Sequence, residues 1–169
     1  MSTFYEMQPD QLEKSPFQLI GYEWMLITAE KDNKVNMMTA SWGGLGVMWA
    51  KNVAFIVVRP QRFTKEFIDG SDTFSLTFFD KSYKKQLSYC GAVSGKDEDK
   101  LAKTGFSVVH DGQTPYFAEA KLVLLCRKMF AQAYDPASFI DPSIEKLYPQ
   151  NDYHTLYIAE VTKILANSK

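Results

Sequence analysis

Two hydrophobic rhythms alternate along this chain. Residues 24–30 form an apolar run that predicts a β-strand, broken by the turn-forming Asp32, Asn33 and Lys34. Residues 35–42 return as the partner strand, so the pair reads as a hairpin. Gly43, Gly44 and Gly46 follow at once and predict a bend or bulge. Residues 53–58 read as a buried strand. The period then lengthens: Phe63, Phe67 and Ile68 fall on one helical face, and Gly70 can end that turn. Residues 73–79 return to strand, and Tyr83, Leu87 and Cys90 recur at helical spacing. Asp97 can cap a short helix running through Lys103 and closed by Gly105. Strands resume at residues 120–130 and 153–164, whereas residues 1–20, with Pro9 and Pro16, read as an irregular lead-in.

Five or six strands interrupted by short helices, without regular β–α–β alternation, predict a mainly β fold. The expected form is a closed antiparallel barrel with helical excursions, in place of a doubly wound sheet. No linker or internal repeat divides residues 1–169, so a single domain is expected, and 46% hydrophobic content is ample for its core. The formal net charge of −1, with no basic stripe, argues against a nucleic-acid or polybasic membrane surface. Glu6, Asp10 and Glu13 precede any apolar run, which is wrong for a signal peptide. The longest aliphatic runs, residues 54–58 and 122–126, fall far short of the roughly twenty residues that span a bilayer. Cys90 and Cys126 form no C-x-x-C and, with His110 and His154, no metal-ligand spacing. A reducing cytoplasm and no metal are therefore the expectation.

The sequence contains no G-x-S-x-G, H-E-x-x-H, Walker or G-x-G-x-x-G motif. Gly43-Gly44-Leu45-Gly46 superficially suggests a phosphate loop, but no helix start follows it, which favours the strand-bending reading. Three other segments combine polar donors with apolar surroundings. In the first, Thr39 and Ser41 share a strand face with Met37, while Met38, Ala40 and Trp42 occupy the other. Hydroxyls beside an aromatic ring and thioethers suit a ligand with a flat apolar body and hydrogen-bonding edges. The competing reading is a strand with its hydroxyls in solvent, which that segment alone favours. The second places Arg59, Arg62, Thr64 and Lys65 where a strand runs into a helix, a donor set fitted to a phosphate. An ordinary solvated helix start is its alternative, although cations in a first turn are unfavourable without an anion. The third, Ser94-Gly95-Lys96-Asp97-Glu98-Asp99-Lys100, sends Lys100 either toward a bound anion or into a surface pair with Asp97.

Together and in this order, these segments resemble the flavin reductase-like, FMN-binding split-barrel family, especially its small flavoredoxin-type members. The residues that carry the resemblance begin with Asn36, Met38, Thr39, Ala40, Ser41 and Trp42, followed by Arg59, Pro60, Arg62 and Thr64. Tyr89, Cys90, Gly91, Ser94, Gly95, Asp97, Asp99 and Lys100 come next, and a weaker match runs from His154 to Val161. The resemblance implies a Greek-key split barrel that dimerises, with FMN in a groove near the subunit interface. By position, Met38, Thr39, Ala40, Ser41 and Trp42 would line the ring and ribityl chain. Arg62 and Thr64, helped by Arg59, would hold the phosphate, and Ser94, Gly95 and Lys100 would close the far side. His154 resembles a histidine that flavin reductases place near the nicotinamide of NADH or NADPH. Ala159 stands where that last-strand motif carries a glycine.

The activity implied is an NAD(P)H-dependent flavin reductase or related oxidoreductase. Its alternatives are a flavoredoxin-like electron carrier reduced by a protein partner and a non-catalytic ligand-binding barrel. Cys90 is open to reading as a redox thiol or, as is usual on an apolar helical face, as core. His154 is equally open to reading as a satisfied strand residue.

Overall fold

Apolar side chains on both faces of most strands decide this architecture, because a sheet so patterned must be covered on each side. The computed structural model describes residues 3–168; residues 1, 2 and 169, which the expected domain also includes, lie outside them. The strands are β1 (Phe4–Met7), β2 (Met25–Lys31), β3 (Lys34–Ala40), β4 (Gly43–Met48), β5 (Lys51–Val58), β6 (Thr73–Phe78), β7 (Val108–Asp111), β8 (Thr114–Phe117), β9 (Leu122–Ala133) and β10 (Thr155–Asn167). Three short α-helices accompany them: α1 (Thr64–Asp69), α2 (Lys84–Ala92) and α3 (Lys100–Thr104). A wide π-type turn, Phe17–Glu23, precedes β2 and buries Leu19 and Ile20.

All strand pairs are antiparallel, in the order β3-β2-β6-β9-β10-β5-β4, with β1 added along β10. The sheet ends at β3 and β4 and is not closed into a full barrel, which corrects the expectation of closure. Strand β10 serves two partners along one edge. Its residues 155–160 pair with β5 and residues 164–167 with β1, while β9 runs along both parts. A register shift at Thr162 separates the two parts. Tyr157 and Ala159 face the inner core before that shift, and Ile164 and Ala166 face it afterwards, so one extra residue flips the side-chain parity.

Two cores result. Inside the curl of the sheet lie Met25, Ile27, Ala29, Met38, Ile56, Phe74, Leu76, Phe78 and Leu124, joined by Phe67 and Ile68 of α1. On the outer face Leu26, Met37, Val123 and Leu125 are covered by Leu87 and Cys90 of α2, and by Phe106, Tyr116 and Phe117. The hairpin β7–β8, not expected from the sequence, closes this outer layer; Ser75 Oγ donates to Pro115 O at 2.6 Å beneath it. No helix among the described residues is long and apolar enough to cross a membrane.

Several local expectations are corrected. The lead-in contains β1, whose backbone completes the last part of β10. The glycines at 43, 44 and 46 build a full strand, β4, instead of only a bend. Gly44 and Gly46 let the Phe55 ring lie against β4, and Gly43 sits at φ 144° with its missing Cβ aimed at the Phe55 carbonyl oxygen. The cap of α3 is Asp99, which accepts from Ala102 N at 3.1 Å, and not Asp97. Gly43→Ala should destabilise the protein by about 1–3 kcal/mol, since it combines disfavoured backbone geometry with a clash. Gly44→Ala, which meets Phe55 only at an ordinary 3.6 Å, should stay within about 0.5 kcal/mol. Urea unfolding of both variants checks the contrast; equal losses would refute it.

Candidate functional site

Where β3 ends and β5 runs toward α1, a cleft of about 380 Å³ opens. It is lined by Met38, Thr39, Ala40, Ser41, Trp42, Val57, Arg59, Gln61, Arg62 and His154. Three separate stretches of sequence thus meet at one place, because the register of β10 on β5 sets Thr155 opposite Val58. His154 lies one residue before that pairing and Arg59 one residue after it. The indole of Trp42 is exposed and stands 5.3 Å from the His154 ring, giving the cleft an aromatic wall.

Arg62 is the cation with the most chemical consequence. It is half-buried and donates to Gly91 O at 2.9 Å, and among the described residues no carboxylate lies within ion-pairing distance of it. Burial and the neighbouring Arg59 both press against its charge, yet a guanidinium stays protonated. A half-buried cation without a counter-charge, lining a cleft, favours an anionic ligand. Arg59 differs. Its Nη1 donates to Asp152 Oδ2 at 2.6 Å, its Nη2 to Leu147 O at 3.0 Å, and its guanidinium lies 4.7 Å from the centre of the Tyr148 ring.

His154 is buried, and its Nδ1 shares a 2.7 Å hydrogen bond with the Tyr148 hydroxyl. Burial, reinforced by Arg59, pushes its pKa down to about 4, so the ring is neutral at physiological pH. It can offer a hydrogen bond to a ligand but no positive charge.

The other expected ligands sit in the walls. The Lys100 ammonium is buried and donates to Met37 O at 2.9 Å and Cys90 O at 2.8 Å. Burial pushes its pKa down to about 8. Thr39 is similarly engaged, its hydroxyl donating to Leu87 O. Thr64 is buried at the start of α1 and accepts from Asn36 Nδ2 at 2.9 Å. Gly95 packs on the Asn36 side chain, while Ser94 Oγ accepts from Lys96 N at 3.2 Å. Gly95 and Lys100 line a neighbouring hollow of about 660 Å³ with Asn36, Phe63 and Phe67. Cys90 lies fully buried in the outer core, where burial pushes its thiol up to about 11.

The sequence reading missed Gln61, Asp152 and the aromatic group Tyr134, Phe139, Tyr148 and Tyr153. These rings pack on one another and against His154. A signal was present: Asp135-Pro136 and Asp141-Pro142 each start a short 3-10 turn, with the Asp side chain accepting a backbone N–H. Such turns mark residues 134–153 as an ordered excursion.

A family model described as "Flavin reductase like domain" matches residues 17–169, so the chain belongs to the flavin reductase-like domain family. Among solved structures, it is similar to an FMN-binding domain of a flavin reductases-like enzyme from Shewanella baltica OS155. That match has TM-score 0.72 at 19% identity and covers 99% of this chain and 78% of the other. It is also similar to flavoredoxin from Methanosarcina acetivorans, with TM-score 0.68, 20% identity, and 97% and 75% of the two chains covered. Flavoredoxin of Desulfovibrio vulgaris (Miyazaki F) gives TM-score 0.68 at 18% identity, covering 96% of this chain and 78% of that one. No curated protein matches the chain.

The neutral His154 makes stability depend on pH. An unfolded chain takes up this proton near the ordinary 6.5, the folded protein only near 4, so the unfolded state binds more protons in between. Stability should fall as pH drops through that window and level off below it. In urea unfolding at pH 7 and 4.5, His154→Gln should lose less stability on acidification than the native protein. Equal losses would refute the assignment.

Proposed function

We propose that this protein binds FMN in the cleft of Trp42, Arg62 and His154, and acts as an oxidoreductase that takes electrons from NADH or NADPH. The observation that carries the reading is Arg62, a half-buried cation without a carboxylate partner among the described residues, facing a cleft that also presents an aromatic wall. The cleft's about 380 Å³ lies inside the roughly 300–1,000 Å³ typical of small-molecule sites. Its donors suit the group: a guanidinium for the phosphate, the open indole for a flat ring, and Ser41 for polar edges.

Flavin supplies the redox chemistry when bound, accepting electrons as hydride or singly and passing them on. The chain's own residues bind and orient. Arg62 would fix the phosphate end, while Met38, Ala40 and Trp42 would exclude water along one side of the ring. His154 would present a neutral hydrogen-bonding group to the nicotinamide. Lys100 and Thr64 would support these walls through the backbone and side-chain bonds described above, while Thr39 lines the cleft with its hydroxyl already bound to Leu87 O.

A second reading is a flavoredoxin-like carrier that receives electrons from another protein, favoured by the similarity to two flavoredoxins. The visible spectrum of the purified protein with FMN, before and after NADH or NADPH, separates the two. Bleaching by a pyridine nucleotide supports the first, and a bound but unreduced flavin the second. A protein that leaves FMN fluorescence unquenched overturns both. Arg62→Ala should weaken FMN by roughly 10- to 150-fold, the loss of a charged hydrogen-bonding partner. Riboflavin, lacking the phosphate, should bind both forms alike.

A further inference from the structure

The residues 134–154 leave the sheet and return to it, with their ends joined by Tyr134 N donating to His154 O at 2.8 Å. Asp152 fastens the returning end. One of its oxygens, Oδ2, accepts from Arg59 Nη1 and from Gln61 Nε2, each at 2.6 Å. Its other oxygen, Oδ1, is buried and has no hydrogen-bond partner among the described residues. A buried acceptor left unpaired is costly, so the carboxylate is held by what Oδ2 binds. The side chains of Arg59 and Asp152 are 24% and 15% exposed, a pair shielded well beyond an ordinary surface ion pair. Gln61 and Arg59 hold the Asp152 carboxyl below the usual carboxylate range, so it stays ionised at neutral pH.

Arg59 transmits this contact. Its second arm reaches Leu147 O, and its plane covers the Tyr148 ring, whose hydroxyl bonds His154 Nδ1. Asp152, Arg59, Tyr148 and His154 therefore form one chain of contacts ending in the cleft. Arg59 lines that cleft beside Arg62, but its donors point to the protein.

We propose that Asp152 is a positioning residue with two effects: it fastens residues 134–154 so that Tyr148 sets His154 beside Trp42, and it withdraws Arg59 from the ligand's phosphate. The inference rests on the flavin nucleotide reading of the cleft, and it predicts opposite changes for the two ligands. In Asp152→Asn the Arg59 guanidinium loses its counter-charge, so FMN should bind at least threefold more tightly. The KM for NADH or NADPH should rise about tenfold, because His154 loses its support. A merely structural role would weaken both. The double variant Arg59→Gln, Asp152→Asn should return FMN affinity to the native value while keeping the raised KM.

FMN fluorescence titration and steady-state kinetics measure these effects. Limited proteolysis within residues 134–154 and the NMR titration of His154 provide readouts that need no flavin. Faster cleavage and an altered His154 titration in Asp152→Asn support the latch. Unchanged cleavage, or FMN affinity falling together with nucleotide affinity, overturns it. If the native protein fails to bind FMN, the flavin reading fails; proteolysis and the His154 titration then decide the latch by themselves.

Discussion

The strand β10 carries the constraint on which the rest depends. It is 13 residues long and pairs with β9 along most of that length, while its free edge is shared between β5 and β1. One strand can serve two partners only if its side chains face the inner core in both halves, and the shift at Thr162 achieves that by changing parity. The same strand brings His154 to the end of β5, where Arg59 and Arg62 leave the sheet. The cleft is therefore a consequence of strand register, and the side chains that form it are placed by backbone pairing more than by their own contacts.

A second constraint acts at the end of α2. The last carbonyls of a helix lack intrahelical partners and carry the negative end of its dipole. Here Cys90 O accepts from Lys100 and Gly91 O from Arg62, so two cations complete the helix end. Lys100 also bonds Met37 O, which ties α2 to β3 and fixes the strand that presents Trp42. This explains how an ammonium can be buried at 4% exposure without a carboxylate partner among the described residues. It also links the two hollows: Lys100 forms part of the wall of one, and Arg62 uses the neighbouring carbonyl from the other.

The fold was largely legible because the strong strands read as short apolar runs bounded by turn residues. The hairpin of β2 and β3, with Asp32 and Asn33 at positive φ, follows directly from its turn residues, and so do β5, β6 and α1. The less legible pieces are those whose partners are distant in sequence. Phe4–Met7 has little strand signal of its own and is fixed by residues 164–167. Gly43, Gly44 and Gly46 are poor strand formers, made a strand by pairing with β5, whose Phe55 ring lies against Gly44 and Gly46. The candidate site divides in the same way. Met38, Ala40, Trp42, Arg62 and His154 meet in the cleft, whereas Lys100 and Thr64 are polar groups used by the backbone and by Asn36.

By itself, the sequence determined the local menu: strand runs, turn residues, helical spacing and the kinds of polar group available, all set by interactions within a few residues. It also carried enough ordered motif to point to the flavin reductase-like family. Only the tertiary structure decided which cations are neutralised internally and which remain unpaired. Arg59 and Arg62 lie three positions apart and look equivalent in the chain, yet Asp152, far along the sequence, engages one and leaves the other. A charge's role depends on its distance from every other charge and on how much water reaches it, and neither quantity exists until the chain has folded.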